Sequence, residues 1–151
     1  MTAPSALTEP STIAWIEGQW GSPADLSLPL HDRGLLLADG LFETVLVERG
    51  EPLLLEAHLQ RWQESAALLG MAAPPGLQAL MPLIQEGVKR AGLQPGHCGA
   101  LRLNWSRGCG GRGINLPDQH DPRFWLLLTP IEPNFQPQTA HISRHCAAHG
   151  D

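Results

Sequence analysis

Lysine is almost missing from this 151-residue chain: Lys89 is the single one, and arginine carries the rest of the positive charge. Basic residues are scarce altogether, 10 against 15 acidic, and the net charge of −5 excludes nucleic acid as the main partner, because a phosphate backbone needs a positive surface. Cysteine is sparse and odd in number. Cys98, Cys109 and Cys146 lie too far apart for a disulfide framework and read as reduced thiols of a cytoplasmic protein. No apolar run reaches the length of a membrane span, and no membrane partner is expected. The first residues, MTAPSALTEPST, have neither a basic n-region nor an apolar core, so no signal peptide is read there. What is present is enough for one globular domain. The hydrophobic fraction is 42%, and the length supports one core but not two.

Residues 1–11 are rich in Pro, Ser and Thr and read as a flexible terminus. Thr12–Glu17 alternates and is β-branched, and Gly18 turns it into a short hairpin through Trp20; Ser27–Leu30 reads as a further edge piece. Leu41–Arg49 is the clearest strand, with Phe42, Thr44 and Leu46 on one face and Leu41, Glu43, Val45 and Val47 on the other. Gly50 and Glu51 turn it back into Pro52–Leu55. Glu56–Leu69 reads as a helix whose apolar stripe is Leu59, Trp62, Ala66 and Leu69, stopped by Gly70. Leu77–Ala91 is a second helix, starting late or bending at Pro82. Ala100–Ser106 alternates, with Leu101, Leu103 and Trp105 toward a core and Arg102, Asn104 and Ser106 opposite. Phe124–Thr129 is continuously apolar, as in a central strand covered on both faces. Pro130–Gln138 reads as a linker and Thr139–Cys146 as one further strand. Strands, two helices, then strands make an α+β layer with an antiparallel sheet, not alternating βαβ units.

Three arginines, Arg102, Arg107 and Arg112, lie close together around SRGCGGRG (Ser106–Gly113). Like charges gathered this tightly repel unless an anion or protein carboxylates compensate them, and a carboxylate-bearing small molecule fits the arginine fork. The bland alternative is a solvated glycine loop with surface arginines. The segment has no Gly-Lys-Ser/Thr ending, so it is not a Walker loop, and one copy on an acidic chain is a poor RNA tag. Arg61 stands on the first turns of a helix, where a guanidinium beside a positive dipole end suits a phosphate. His58 reads as a hydrogen-bonded structural histidine. His141, His145, Cys146 and His149 hold ligand-type side chains but no tightly spaced second pair, so no metal site is assigned.

In combination, ADGLFET (Ala38–Thr44), HLQRW (His58–Trp62) and SRGCGGRG resemble the class IV aminotransferases, the fold-type IV pyridoxal-phosphate enzymes. Within that family they look most like the 4-amino-4-deoxychorismate lyases. The resemblance implies the small N-terminal α+β domain of such an enzyme over residues 12–130. Residues 131–151 would then be the interdomain linker and the start of a larger domain. It implies Arg61 as the group that holds the phosphate of pyridoxal 5'-phosphate, across a cleft shared with the Arg102–Arg112 segment. Arg102, Arg107 and Arg112 are implied as holders of substrate carboxylates, with Leu37, Phe42 and Ile114 shaping the pocket. Leu37 stands where Tyr or Phe is usual, Ala38 where Gly is usual, and Ile114 where the lyases often carry Tyr.

The activity implied is elimination of pyruvate to give 4-aminobenzoate for folate, on a homodimer with shared pockets. The alternative within the family is an aminotransferase of branched-chain or D-amino acids; the rival outside it is a non-catalytic remnant. The chemistry needs a Schiff-base lysine. Lys89 does not fit that role: it lies in a Lys-Arg pair at the end of a helix, where a cation complements the dipole. The family's lysine follows the linker, so it is expected beyond Asp151, and the 151-residue chain is expected to be inactive alone.

Overall fold

Two-residue turns with positive φ at both positions make the hairpins, because that twist matches the twist of the flanking strands. Glu17 and Gly18 (φ 48° and 85°) join β1 (Ile13–Ile16) to β2 (Gln19–Gly21). After a one-turn helix, α1 (Arg33–Leu37), comes β3 (Gly40–Glu48), and Arg49 and Gly50 (φ 53° and 82°) join it to β4 (Glu51–Pro52). Helices α2 (Leu55–Leu68) and α3 (Leu77–Arg90) follow, then the long strands β5 (Cys98–Ser106) and β6 (Arg123–Ile131). The computed structural model describes residues 9–110, 113, 115–116, 121–137 and 139–140.

The strands form one six-stranded antiparallel sheet in the order β2-β1-β6-β5-β3-β4. Its register sets the two faces. Val45, Val47, Leu101, Leu103, Leu126 and Leu128 point to one side and are buried against Leu59, Trp62, Ala66, Leu80 and Ile84 of α2 and α3. That face is the core, and truncating any of its leucines to alanine costs about 2–5 kcal/mol. The alternate residues Phe42, Arg102, Asn104 and Trp125 stand on the opposite face, which no helix of eight or more residues covers among the described residues.

The α+β class and antiparallel sheet agree with the sequence expectation, and several details differ; Phe124–Thr129, for one, has long helices packed on one face only among the described residues. A third helix, α1, was not expected; Asp32 caps it, its carboxylate accepting from Gly34 N–H at 2.8 Å. Ser27–Leu30 is not a strand. Pro29 has no donor for a ladder, and its carbonyl instead accepts a turn bond from Asp32 N–H. α3 starts at Leu77 and holds Pro82 inside it, so the helix does not start late. Pro130 and Ile131 belong to β6 and not to the linker. β1 pairs with β6 only as far as Leu128, so at Pro130 the absent N–H faces an open edge and loses no ladder bond. Residues 139–140 are not in a strand, and the rest of the expected Thr139–Cys146 strand lies outside the described residues.

Candidate active site

On the uncovered face, Phe42 of β3 lies diagonal to Arg102 of β5, since Phe42 pairs with Asn104 and Thr44 with Arg102. The Arg102 guanidinium carbon sits 3.7 Å from the Phe42 ring centroid, a stacked cation–π contact. Arg102 Nε donates to Asn104 Oδ1 at 3.0 Å, and Asn104 Nδ2 donates to the Trp125 carbonyl at 3.4 Å. The terminal nitrogens of Arg102 have no protein partner among the described residues. They lie at an open hollow of about 310 Å³ lined by Phe42, Arg102, Asn104, Trp125 and the backbone-rich rim of Gly34, Ala38 and Gly40. An arginine held flat by a ring and aimed by an amide is a preorganised receptor for a carboxylate.

Leu37 lines an adjoining hollow of about 280 Å³ with Arg33, Asp39, Leu69 and Leu116. Ala38, between the two hollows, closes α1 in the left-handed conformation (φ 54°, ψ 26°), which accounts for glycine being the usual residue there.

Arg61 is elsewhere. Its Nε donates to Glu43 Oε1 at 2.9 Å and its Nη2 bonds the same carboxylate, whose other oxygen partner is His58 Nδ1 at 2.7 Å. Glu43 alternates with Phe42, so this trio lies on the helical side of β3. The expectation that Arg61 shares a hollow with the Arg102 segment is therefore not met within this chain: α2 packs on the other face of the sheet. Arg61 is 65% exposed, while Glu43 is 5% exposed. Burial raises the Glu43 carboxyl, but the hydrogen bonds and charges of Arg61 and His58 outweigh it and hold the group below the usual carboxylate range. The same carboxylate raises Arg61 further above its ordinary value. Arg61 Nη1 has no partner among the described residues, so one edge of a fixed guanidinium faces outward.

Arg107 is buried, and its donors are engaged inside the chain: Nε to Asp39 at 2.9 Å, Nη1 to the Gly70 carbonyl at 3.2 Å and Nη2 to the Leu69 carbonyl at 2.9 Å. Arg112 and Ile114 lie outside the described residues, as do His141, His145, Cys146 and His149. Among the described residues no group of three or more His, Cys, Asp or Glu is placed to hold a metal. Lys89 is exposed in the last turn of α3, in the helical layer and away from the Arg102 hollow. The sequence reading missed Glu43 and Asp39 as organisers. A signal existed for Glu43, an acid on an otherwise apolar strand face.

The family model for amino-transferase class IV matches residues 40–149. The chain belongs to that family. A bifunctional aminodeoxychorismate lyase / D-amino acid transaminase of Mycobacterium tuberculosis is 34% identical over 119 residues, covering 79% of this chain and 38% of that protein. A solved hypothetical aminotransferase from the same organism, in its PLP-bound form, superposes with a TM-score of 0.66 at 30% identity, over 80% of this chain and 40% of that one. A 4-amino-4-deoxychorismate lyase structure from Pseudomonas aeruginosa is 37% identical, with a TM-score of 0.53 over 75% of this chain and 38% of its own. This class IV chain thus spans about 40% of the length of the relatives it matches. The family-level resemblance of the three motifs agrees with these matches.

Proposed function

We propose that this class IV chain supplies the substrate-facing small domain of a pyridoxal-phosphate-dependent lyase that releases pyruvate from 4-amino-4-deoxychorismate and leaves 4-aminobenzoate. The observation that carries the reading is Arg102, stacked on Phe42 and tied to Asn104, with its terminal nitrogens at an open hollow and without a partner among the described residues. Arg102 binds a substrate carboxylate there with Phe42 as apolar wall, Leu37 walls the adjoining hollow, Arg112 is assigned by its place in the SRGCGGRG motif and Ile114 as the residue that follows it. Arg107 contributes through its buried bonds to Asp39 and the end of α2.

The residues present fit the cofactor's phosphate. Arg61 is fixed on one side by Glu43 and open on the other, so it offers donors without needing to be ordered first. When bound, pyridoxal phosphate supplies an electron sink for bond cleavage next to the substrate amine. Arg61 lies on the other side of the sheet from the Arg102 hollow, so it would hold the phosphate apart from that hollow. The Schiff-base lysine is proposed to lie outside these 151 residues. The same reading takes a homodimer in the cytoplasm. It is supported by the exposed apolar run Leu35, Leu36, Leu37 and Phe42 and by the free thiols Cys98 and Cys109.

A second reading, a D-amino-acid aminotransferase, is favoured by the bifunctional name of the Mycobacterium tuberculosis relative. Product analysis on the complete enzyme carrying this segment separates them. Pyruvate together with 4-aminobenzoate supports the lyase, amino exchange between a D-amino acid and a keto acid supports the transaminase, and neither product leaves a non-catalytic module. In the lyase, Arg102→Ala raises KM for the carboxylate substrate by about tenfold or more, the loss expected for a charge-assisted contact.

A further inference from the structure

Two buried arginines meet one carboxylate where β3 begins and β5 ends, beside the Leu37 hollow. Arg33 Nε donates to Asp39 Oδ2 at 2.7 Å, and Arg107 Nε donates to the same carboxylate at 2.9 Å. Arg33 and Arg107 are each 3% exposed. Two cations on one carboxylate leave an excess of positive charge in a place with little water. Arg107 resolves part of it by donating to the Leu69 and Gly70 carbonyls just past the end of α2, the negative pole of that helix. Arg33 resolves the other part by reaching across the chain, its Nη1 donating to the Gly113 carbonyl at 3.2 Å.

Backbone bonds interlock the same segments. Arg33 N–H donates to the Gly108 carbonyl at 2.9 Å, and Arg107 N–H donates to the Asp39 carbonyl at 3.1 Å. Gly108 (φ 86°) passes so close to Asp121 that a Cβ there would meet its carbonyl oxygen at 1.6 Å, which pins the first residue of the loop. The far end is different. Gly113 is exposed, a Cβ built on it meets nothing within 4 Å, and Arg33 is its single protein hydrogen-bond partner shown among the described residues.

We infer that Asp39 is the positioning residue of the arginine loop: by gathering Arg33 and Arg107 it aims Arg33 at Gly113 and so fixes the main chain between Arg112 and Ile114. The anchoring of Gly113 stands on the geometry; its use, steadying the SRGCGGRG segment for a carboxylate, rests on the function proposed above. A purely packing role makes a different prediction, because a general stabiliser protects the whole sheet, whereas a clasp protects one loop.

Amide hydrogen exchange on the 151-residue chain separates the two, with a 4-aminobenzoate titration followed by NMR as the second readout. In Asp39→Asn, the amides of residues 108–115 exchange about tenfold faster or more, while those of Leu101, Leu103 and Leu126 keep their protection. Arg33→Lys keeps the charge beside Asp39 but cannot bridge to Gly113, so it loosens residues 112–115 alone and covers the case in which Asp39→Asn fails to fold. Asp39→Glu, which retains the charge, restores part of the protection. 4-Aminobenzoate binding weakens with the loop in both loosening variants. Unchanged loop exchange in Arg33→Lys and Asp39→Asn overturns the inference. So does a rise spread evenly over the strands, and so does a loosened loop with wild-type 4-aminobenzoate affinity. If the wild-type chain binds no 4-aminobenzoate, the proposed function is what fails, and the exchange pattern still decides the clasp.

Discussion

Arg61 and Arg107 are both arginines bonded to a carboxylate of β3 or its approach, and they are opposites in every other respect. Arg61 gives two bonds to Glu43, has no partner for Nη1 among the described residues and leaves most of its surface in water. Arg107 is buried and has its donors on Asp39, Leu69 and Gly70. The contrast shows what a carboxylate partner does in each place. Glu43 orients a guanidinium toward something outside, while Asp39 neutralises one that faces inward. On the function proposed, the anion-binding role goes to the arginine with donors left over, and a scaffolding role to the one without.

The largest effect that would break the contrast is on stability. Arg107→Ala strips two carbonyls and half the charge from Asp39 inside the protein, so unfolding should cost about 3 kcal/mol less, a loss visible as a lower urea midpoint. A midpoint within error of wild type would mean that the buried pair contributes nothing net. Next comes binding. Arg61→Ala should lower the urea midpoint less than Arg107→Ala does, since His58 stays on Glu43, and cut affinity for pyridoxal phosphate by about tenfold or more, read by fluorescence titration of the complete enzyme. If Arg61→Ala unfolds the chain while Arg107→Ala spares it, the two roles are reversed.

Acid should weaken both sites in one direction. Burial raises the carboxyl of Asp39, yet hydrogen bonds from Arg33 and Arg107 and their charges lower it further, as Arg61 and His58 do for Glu43. A carboxylate lowered in the folded state binds its proton less readily there than in the unfolded chain. Its stabilisation is therefore complete above the unfolded value of about 4 and is lost as pH falls through the lowered folded value. Urea midpoints measured from neutral pH downward should fall below about pH 4, and Asp39→Asn or Glu43→Gln should flatten that slope. A slope unchanged in both variants would place the acid sensitivity on other carboxylates.

How much of this was legible in the sequence follows from what each residue's role depends on. Alternation in LFETVLVER and ALRLNWS places Phe42 and Arg102 on one face, because period two is local and the register of β3 on β5 preserves it. Three motifs carried the family, and the match over residues 40–149 agrees. Long-range pairing was not legible. That Arg33 would meet Asp39 and reach Gly113 depends on α1, a five-residue helix fixed by its Asp32 cap and by contacts 74 and 80 positions away. The placement of Arg61 opposite Arg102 also escaped, since it requires knowing which face of the sheet α2 covers.

The smallest effect sharpens the comparison at the hinge between the two hollows. Ala38 precedes Asp39 and holds φ 54°, a left-handed conformation that costs an L-residue about 1–2 kcal/mol. Glycine removes that strain but loses about 0.5–1 kcal/mol through the freer unfolded chain. The balance favours Ala38→Gly by roughly 0.5 kcal/mol, a rise of about one to two degrees in Tm for a domain of this size. The strain serves the clasp only if relieving it loosens the loop. A higher Tm with unchanged exchange at residues 108–115 assigns the strain to α1 alone. A higher Tm with a looser loop means that the stiff Ala38 turn helps Asp39 keep Arg33 pointed at Gly113.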